Sequence, residues 1–243
     1  MTHKVKRGLI SIVMAAALVI SVLAGVLPVQ SIKVGAETEP DYLTFTAEED
    51  NSSVTVNLYD GTLQYSVNNV EFADYTSNTP VALKNGDTVR FRGDSNNGKQ
   101  LFAYSNSKRV TISGKVACSG NIMTLLNYND PDSATMSYSC FSNMFNGCTG
   151  LTSAPELPAT ALEESCYADM FNGCTGLTSA PELPATALAD FCYGDMFNGC
   201  TGLTSAPKLP ATTLADGCYY QMFYGCTDLT EPPELPATTL KSY

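Results

Sequence analysis

The sequence predicts a β-rich α+β chain in two parts. A small antiparallel β-sandwich-like module comes first, then a coil of 26-residue units with one short strand and one short helix each. Three observations predict this. Residues 140–243 carry four copies of one 26-residue pattern. Residues 37–117 hold no cysteine and alternate apolar with polar residues in short runs bounded by turn signals. Residues 1–36 are apolar with a basic start and belong to neither part.

That first segment reads as a signal peptide. Lys4, Lys6 and Arg7 form its basic region, Leu9 to Leu27 its apolar run, and Val34-Gly35-Ala36 a small-residue cleavage site. The run is long, so an uncleaved anchor is the alternative; Pro28 ending it favours cleavage and no later membrane insertion. The only histidine, His3, leaves with the signal. Nine basic and 24 acidic residues then remain, a net charge of −15. Without imidazole, Ser-His and Cys-His nucleophile chemistry is excluded, as are histidine-held zinc and haem. An acidic surface repels phosphates, which excludes nucleic acid as a partner. No cofactor is implied.

Within 37–117 the strand-like runs are Tyr42 to Thr46, Ser53 to Val56, Val89 to Arg92 and Arg109 to Ile112. Asp60-Gly61, Asn68-Asn69, Asn85-Gly86 and Asn97-Gly98 supply turns between them. Seven basic residues between Lys84 and Lys115 read as a solvated strand face.

In the repeats, Phe145-Asn146-Gly147-Cys148-Thr149-Gly150-Leu151 returns from Phe171, from Phe197 and, altered, from Phe223. Met144, Leu151, Leu157 and Leu162 each head an unchanging column, and Pro155 and Pro158 head two more. Such columns face a shared interior, because one unit alone cannot bury its apolar face. Leu188, Cys192, Met196 and Cys200, four residues apart, predict one face of a short helix, with Gly199 as its left-handed stop. Thr201 to Ala206 predicts a brief parallel strand that Pro207 ends. Residues 118–139 align as a degenerate capping repeat, with Leu125 in the Leu151 column. The chain stops at Tyr243, one residue before the next cysteine of the pattern, which reads as a fragment.

The unit Met196-Phe197-Asn198-Gly199-Cys200-Thr201-Gly202-Leu203, with its Leu-Pro pairs, resembles the leucine-rich repeats of BspA-like bacterial surface proteins. The likeness covers residues 140–243. It implies a leucine-rich-repeat solenoid in a secreted or cell-surface protein that adheres to host or bacterial macromolecules. Pro155 and its equivalents depart from the family's usual strand alternation.

Candidate chemistry is sparse. The cysteines recur as Cys-x7-Cys, too far apart along a helix for a bond within a unit. Buried thiols are favoured over bonds between units, where parallel side chains oppose closure. Glu163, Glu164, Asp190 and Asp195 sit in columns that tolerate Ala, Ser, Gln and Lys, so they read as solvated surface, not an acid–base pair. The Tyr167 column reads as packing between neighbouring units. Tyr220 and Tyr224 break their columns and read as exposed contacts, beside the sign-reversing column Glu156, Glu182, Lys208 and Glu234. The expectation is a non-enzymatic exported protein that binds a surface macromolecule, protein rather than glycan. A structural stalk presenting a lost C-terminal domain, or a glycan-binding accessory protein acting through the β module, is the alternative.

Overall fold

In the computed structural model the described residues are 39–58, 62–94 and 109–239. The proposed signal peptide, the Asp60-Gly61 and Asn97-Gly98 turns and the final four residues lie outside them. From Pro40 onward the chain forms one compact unit.

Strands β1 (Leu43–Ala47), β2 (Ser52–Val56), β3 (Leu63–Val67), β4 (Ala73–Asp74), β5 (Val81–Leu83), β6 (Thr88–Gly93), β7 (Val110–Ser113) and β8 (Val116–Ser119) precede the repeats. Alternation dictates which face each residue takes: Leu43, Phe45 and Ala47 point into the core while Thr44 and Thr46 point out. β6 does the same, burying Val89 and Phe91 and turning Arg90 and Arg92 outward. One sheet has the order β4-β3-β6-β1-β8-β9, the other β5-β2-β7. All pairs are antiparallel except the last of the first sheet. There β9 (Leu151–Ser153), in the first repeat, runs parallel to β8 with Val116 opposite Leu151. Phe45 packs against Phe91 at 5.9 Å and against Phe145 of the first repeat at 6.1 Å, so module and repeats share a core.

The repeats correct the predicted fold class. Among the described residues there is no α-helix; the only helical pieces are two 3₁₀ turns, Ile122–Leu125 and Pro131–Ser133. The α+β class and the leucine-rich-repeat solenoid with a helix in every unit are overturned. The regular elements among the described residues are strands, in two sheets, joined and followed by turns. The segment read as a helix is a row of overlapping turns. Ser142 N–H donates to Ser139 O, Met144 to Phe141, Asn146 to Asn143 and Cys148 to Phe145, each three residues back. The intervening amides point out of the unit: Tyr167 N–H donates to Cys192 O (3.0 Å), Asp169 to Gly194 (2.9 Å), Phe171 to Met196 (2.9 Å) and Gly173 to Asn198 (2.7 Å). An α-helix would send every one of these amides four residues back along its own chain.

The physical reason lies in the period. Side chains at every fourth residue drift by about 40° per step on a 3.6-residue helix, yet Cys192, Met196 and Cys200 are all buried in line. A four-residue turn repeat keeps them aligned. It requires a left-handed residue at each fourth position, found at Ser139, Asn143 and Gly147, then Ser165, Asp169 and Gly173, then Phe191, Asp195 and Gly199. Asn, Asp and Gly tolerate that conformation best. At Gly173 (φ 72°) a Cβ would lie 3.6 Å from Gly147 Cα, an ordinary contact, so the glycine is there for its backbone angle rather than for space.

The predicted strand from Thr201 to Ala206 is also absent. Only the first unit has one, because only there does β8 lie alongside to pair with it. Over this segment the later units keep a lone bond, Thr204 N–H to Thr178 O at 3.2 Å.

Stacking aligns side chains as well as backbones. Phe141, Tyr167, Tyr193 and Tyr219 form one file with ring centroids 5.9 Å apart, each pair within 11° of parallel. Phe145, Phe171, Phe197 and Phe223 form a second at 5.4 to 5.7 Å. Offset stacks of this kind add about 0.5–1.5 kcal/mol per pair beyond the area they bury.

Candidate interaction surfaces

Because buried and exposed positions alternate in the extended part of each unit, one column is displayed while its neighbour is fixed. Leu157, Leu183 and Leu209 are 3 to 4% exposed. One residue earlier, Glu156, Glu182 and Lys208 are exposed, as is Glu234 in the last unit. Glu156 and Glu182 line a groove of about 490 Å³ with Pro155, Pro158, Pro181 and Pro184. Lys208 and Glu234 lie outside that groove. The prolines fix the extended backbone without offering amide donors, so the groove floor is apolar and its rim carries charge.

The second surface is at the last turn row. Tyr224 is 68% exposed and Tyr220 38%. Tyr224 lines an apolar groove of about 420 Å³ with Tyr219, Phe223, Pro233 and Leu235. Tyr220 is beside it, its hydroxyl accepting a bond from Gln221 Nε2 at 3.0 Å. The two tyrosines are thus brought to one end of the stack, apart from the Glu156–Glu182 groove.

The tyrosine column from Tyr167 is core. Tyr167 and Tyr193 are at most 1% exposed and stack between their neighbours, in turn rows rather than helices. Glu163, Glu164 and Asp190 are exposed, and Asp195 accepts a 2.8 Å bond from Asn198 Nδ2. Asp169, in the same column as Asp195, has its carboxyl pushed up by burial, with the charge of Asp195 adding to the effect.

None of the nine cysteines is in a disulfide. One column closes the turn rows: Cys174 Sγ donates to Phe145 O, Cys200 to Phe171 O and Cys226 to Phe197 O, each at 3.0 Å. The other packs beside the tyrosine file. Burial pushes Cys140, Cys192 and Cys200 up to about 12, and it raises Cys118 and Cys166 as well. A neutral buried thiol is a poor nucleophile and resists oxidation, so these residues are packing groups.

Sequence reasoning missed Arg109. It is 3% exposed, and its guanidinium donates to Ser139 O and Cys140 O at 2.8 to 3.2 Å. Val110 N–H donates to Met144 O at 2.9 Å. Of these acceptors, Cys140 O and Met144 O are carbonyls whose counterparts in later units receive amides from the preceding unit. The cost of burying the charge appears as a guanidinium pushed down to about 10. On the module's outer face, the Arg92 guanidinium lies 4.0 Å from the Phe72 ring centroid and 4.3 Å from that of Tyr128. These contacts stiffen the sheet face.

Among the described residues no group of three His, Cys, Asp or Glu side chains is placed to hold a metal ion, and no helix is long and apolar enough to cross a membrane. No protein family, curated protein or solved structure matches this chain.

Proposed function

We propose that the protein is a non-enzymatic interaction protein that acts outside the cell, displaying charged columns on a rigid stack to a surface macromolecule. One observation carries the reading. The column Glu156, Glu182, Lys208 and Glu234 is exposed and changes sign, directly beside leucines that do not vary and are buried in the first three units. A scaffold that must keep its core while varying its contacts has this pattern. The basic start, apolar run and Val34-Gly35-Ala36 site support export, and the resemblance to BspA-like repeats at the level of motif supports adhesion. Thiols suit an oxidising compartment if they are shielded, and all of these but Cys226 are buried. The partner chemistry favoured by an acidic rim over a proline floor is a basic protein segment with apolar side chains.

The test uses the full chain, purified without its signal, against immobilised matrix proteins, cell surfaces and glycans. Saturable protein binding that weakens at least tenfold in Glu156→Lys/Glu182→Lys supports the reading. Binding unaffected by that pair, or binding to glycan alone, contradicts it.

A further inference from the structure

The outer face of β6 holds a charged group whose hydrogen-bonding capacity the fold leaves largely unspent. Arg92 is half-buried, and three rings surround its guanidinium: Phe72 at 4.0 Å, Tyr128 at 4.3 Å and Tyr42 at 5.8 Å. Its Nε–H donates to Gln64 Oε1 at 3.0 Å, and Gln64 Nε2 donates in turn to Asp74 Oδ1 at 3.1 Å. That second bond decides which end of the Gln64 amide faces the arginine. The guanidinium is thereby held in place and in rotation. Its two terminal nitrogens nevertheless donate to no described residue, and both reach solvent. Arg90 stands two residues back on the same face, its guanidinium 5.2 Å from the Phe72 ring. A positive spot is thus built into a chain that is otherwise strongly acidic.

We infer that Arg92 anchors a second binding site, on the β module, that takes an aspartate or glutamate side chain of a protein partner. The outer N–H groups of a guanidinium form a planar fork that a carboxylate meets with both oxygens. Ordering a long side chain normally weakens binding, and here the rings and Gln64 have ordered it beforehand. Exposed Glu71, Asp74 and Asp130 flank Phe72 and Tyr128 in the chain, so a single carboxylate is tolerated better than a polyanion. Tyr42 is buried and Phe72 and Tyr128 partly so, packed on the arginines, which leaves little ring face for a sugar to stack on. Val70, 61% exposed and two residues before Phe72, offers an apolar contact beside the charge. Arginine and aromatic residues together are the composition that dominates protein contacts. The site shares no residue with the Glu156 groove and selects the opposite charge, so it goes beyond the interaction reading above.

The experiment follows the Nε–Hε resonance of Arg92 in the isotope-labelled full chain, purified without its signal, at fixed ionic strength. The probes are the blocked tripeptide acetyl-Leu-Glu-Leu-amide, its Gln analogue, sodium sulfate and sodium glucuronate. The expected result is a saturable shift with the Glu peptide at about 1–10 mM, and binding of the Gln peptide at least about tenfold weaker. Arg92→Lys keeps the charge but loses the fork, and should bind the Glu peptide at least about fivefold more weakly, read at the side-chain amide of Gln64. Absence of a saturable Arg92 response to the Glu peptide overturns the inference, and that outcome needs no variant to fold. Sulfate or glucuronate binding as tightly as the Glu peptide also overturns it, by showing a general anion site or an acidic-glycan site. So does undiminished binding by Arg92→Lys. Glu156→Lys/Glu182→Lys should leave the Arg92 response in place, so the two readings fail separately.

Discussion

Replacing Asp195 with glycine and, separately, with alanine distinguishes a turn row from a helix by the sign of one energy difference. Asp195 sits at φ 54°, and its carboxylate accepts the bond from Asn198 Nδ2 at 2.8 Å. Both variants lose that bond and the charge, so their difference isolates the backbone. Holding alanine in the left-handed region costs about 1–2 kcal/mol. Glycine escapes that cost but loses about 0.5–1 kcal/mol more chain entropy on folding. The Asp195→Gly variant should therefore be the more stable of the two by about 1 kcal/mol. In a helix interior the order reverses, with alanine ahead by about 1 kcal/mol. The two accounts thus differ by about 2 kcal/mol, well above the error of a urea titration. Tyrosine fluorescence can follow unfolding, since the chain has 13 tyrosines and no tryptophan. An alanine variant as stable as the glycine variant, or more so, would refute the reasoning.

Three further outcomes follow from the same geometry. Arg109→Met leaves the Ser139 and Cys140 carbonyls without their guanidinium donors, and should cost about 2–5 kcal/mol in urea unfolding; a loss below 0.5 kcal/mol would remove its capping role. Stability should be level near neutral pH and fall above about pH 9, because unfolded thiols ionise from 9.0 while folded Cys140, Cys192 and Cys200 hold their protons to about 12. The native state then binds more protons, and each of those thiols costs about 1.4 kcal/mol per pH unit in that window, partly offset above about pH 10 by relief of the buried Arg109 charge. Unchanged chemical denaturation midpoints between pH 8 and 10 would contradict this. Finally, thiol labelling without reductant should find nine reactive cysteines after unfolding, and in the native chain Cys226 should react first as the least buried; a count short of nine in the unfolded chain would indicate disulfides.

Column structure was legible in the sequence because burial selects residue type and repeats display it. The file of Tyr167 and Tyr193, the leucines, and the displaced tyrosines at 220 and 224 could all be placed by comparing units. Local geometry was not legible from apolar spacing alone, since every fourth residue satisfies both a helix face and a turn repeat over a short stretch. The distinguishing signal was polar. Ser139, Asn143 and Gly147, and then Ser165, Asp169 and Gly173, recur at the same interval, and such residues are poor helix formers that suit left-handed angles. Arg109 was beyond reach because its acceptors are main-chain carbonyls thirty residues away, which no residue type in the sequence announces. The parallel pairing of β8 with β9 was hidden for the same reason: backbone groups carry it.

The most direct measurement is the scalar coupling transmitted across a hydrogen bond in the isotope-labelled chain, read at the Phe171 amide. A coupling to the Met196 carbonyl, whose oxygen lies 2.9 Å from that nitrogen, is the predicted result. A coupling to the carbonyl of Tyr167, four residues back, would show a helix and contradict the turn-row account.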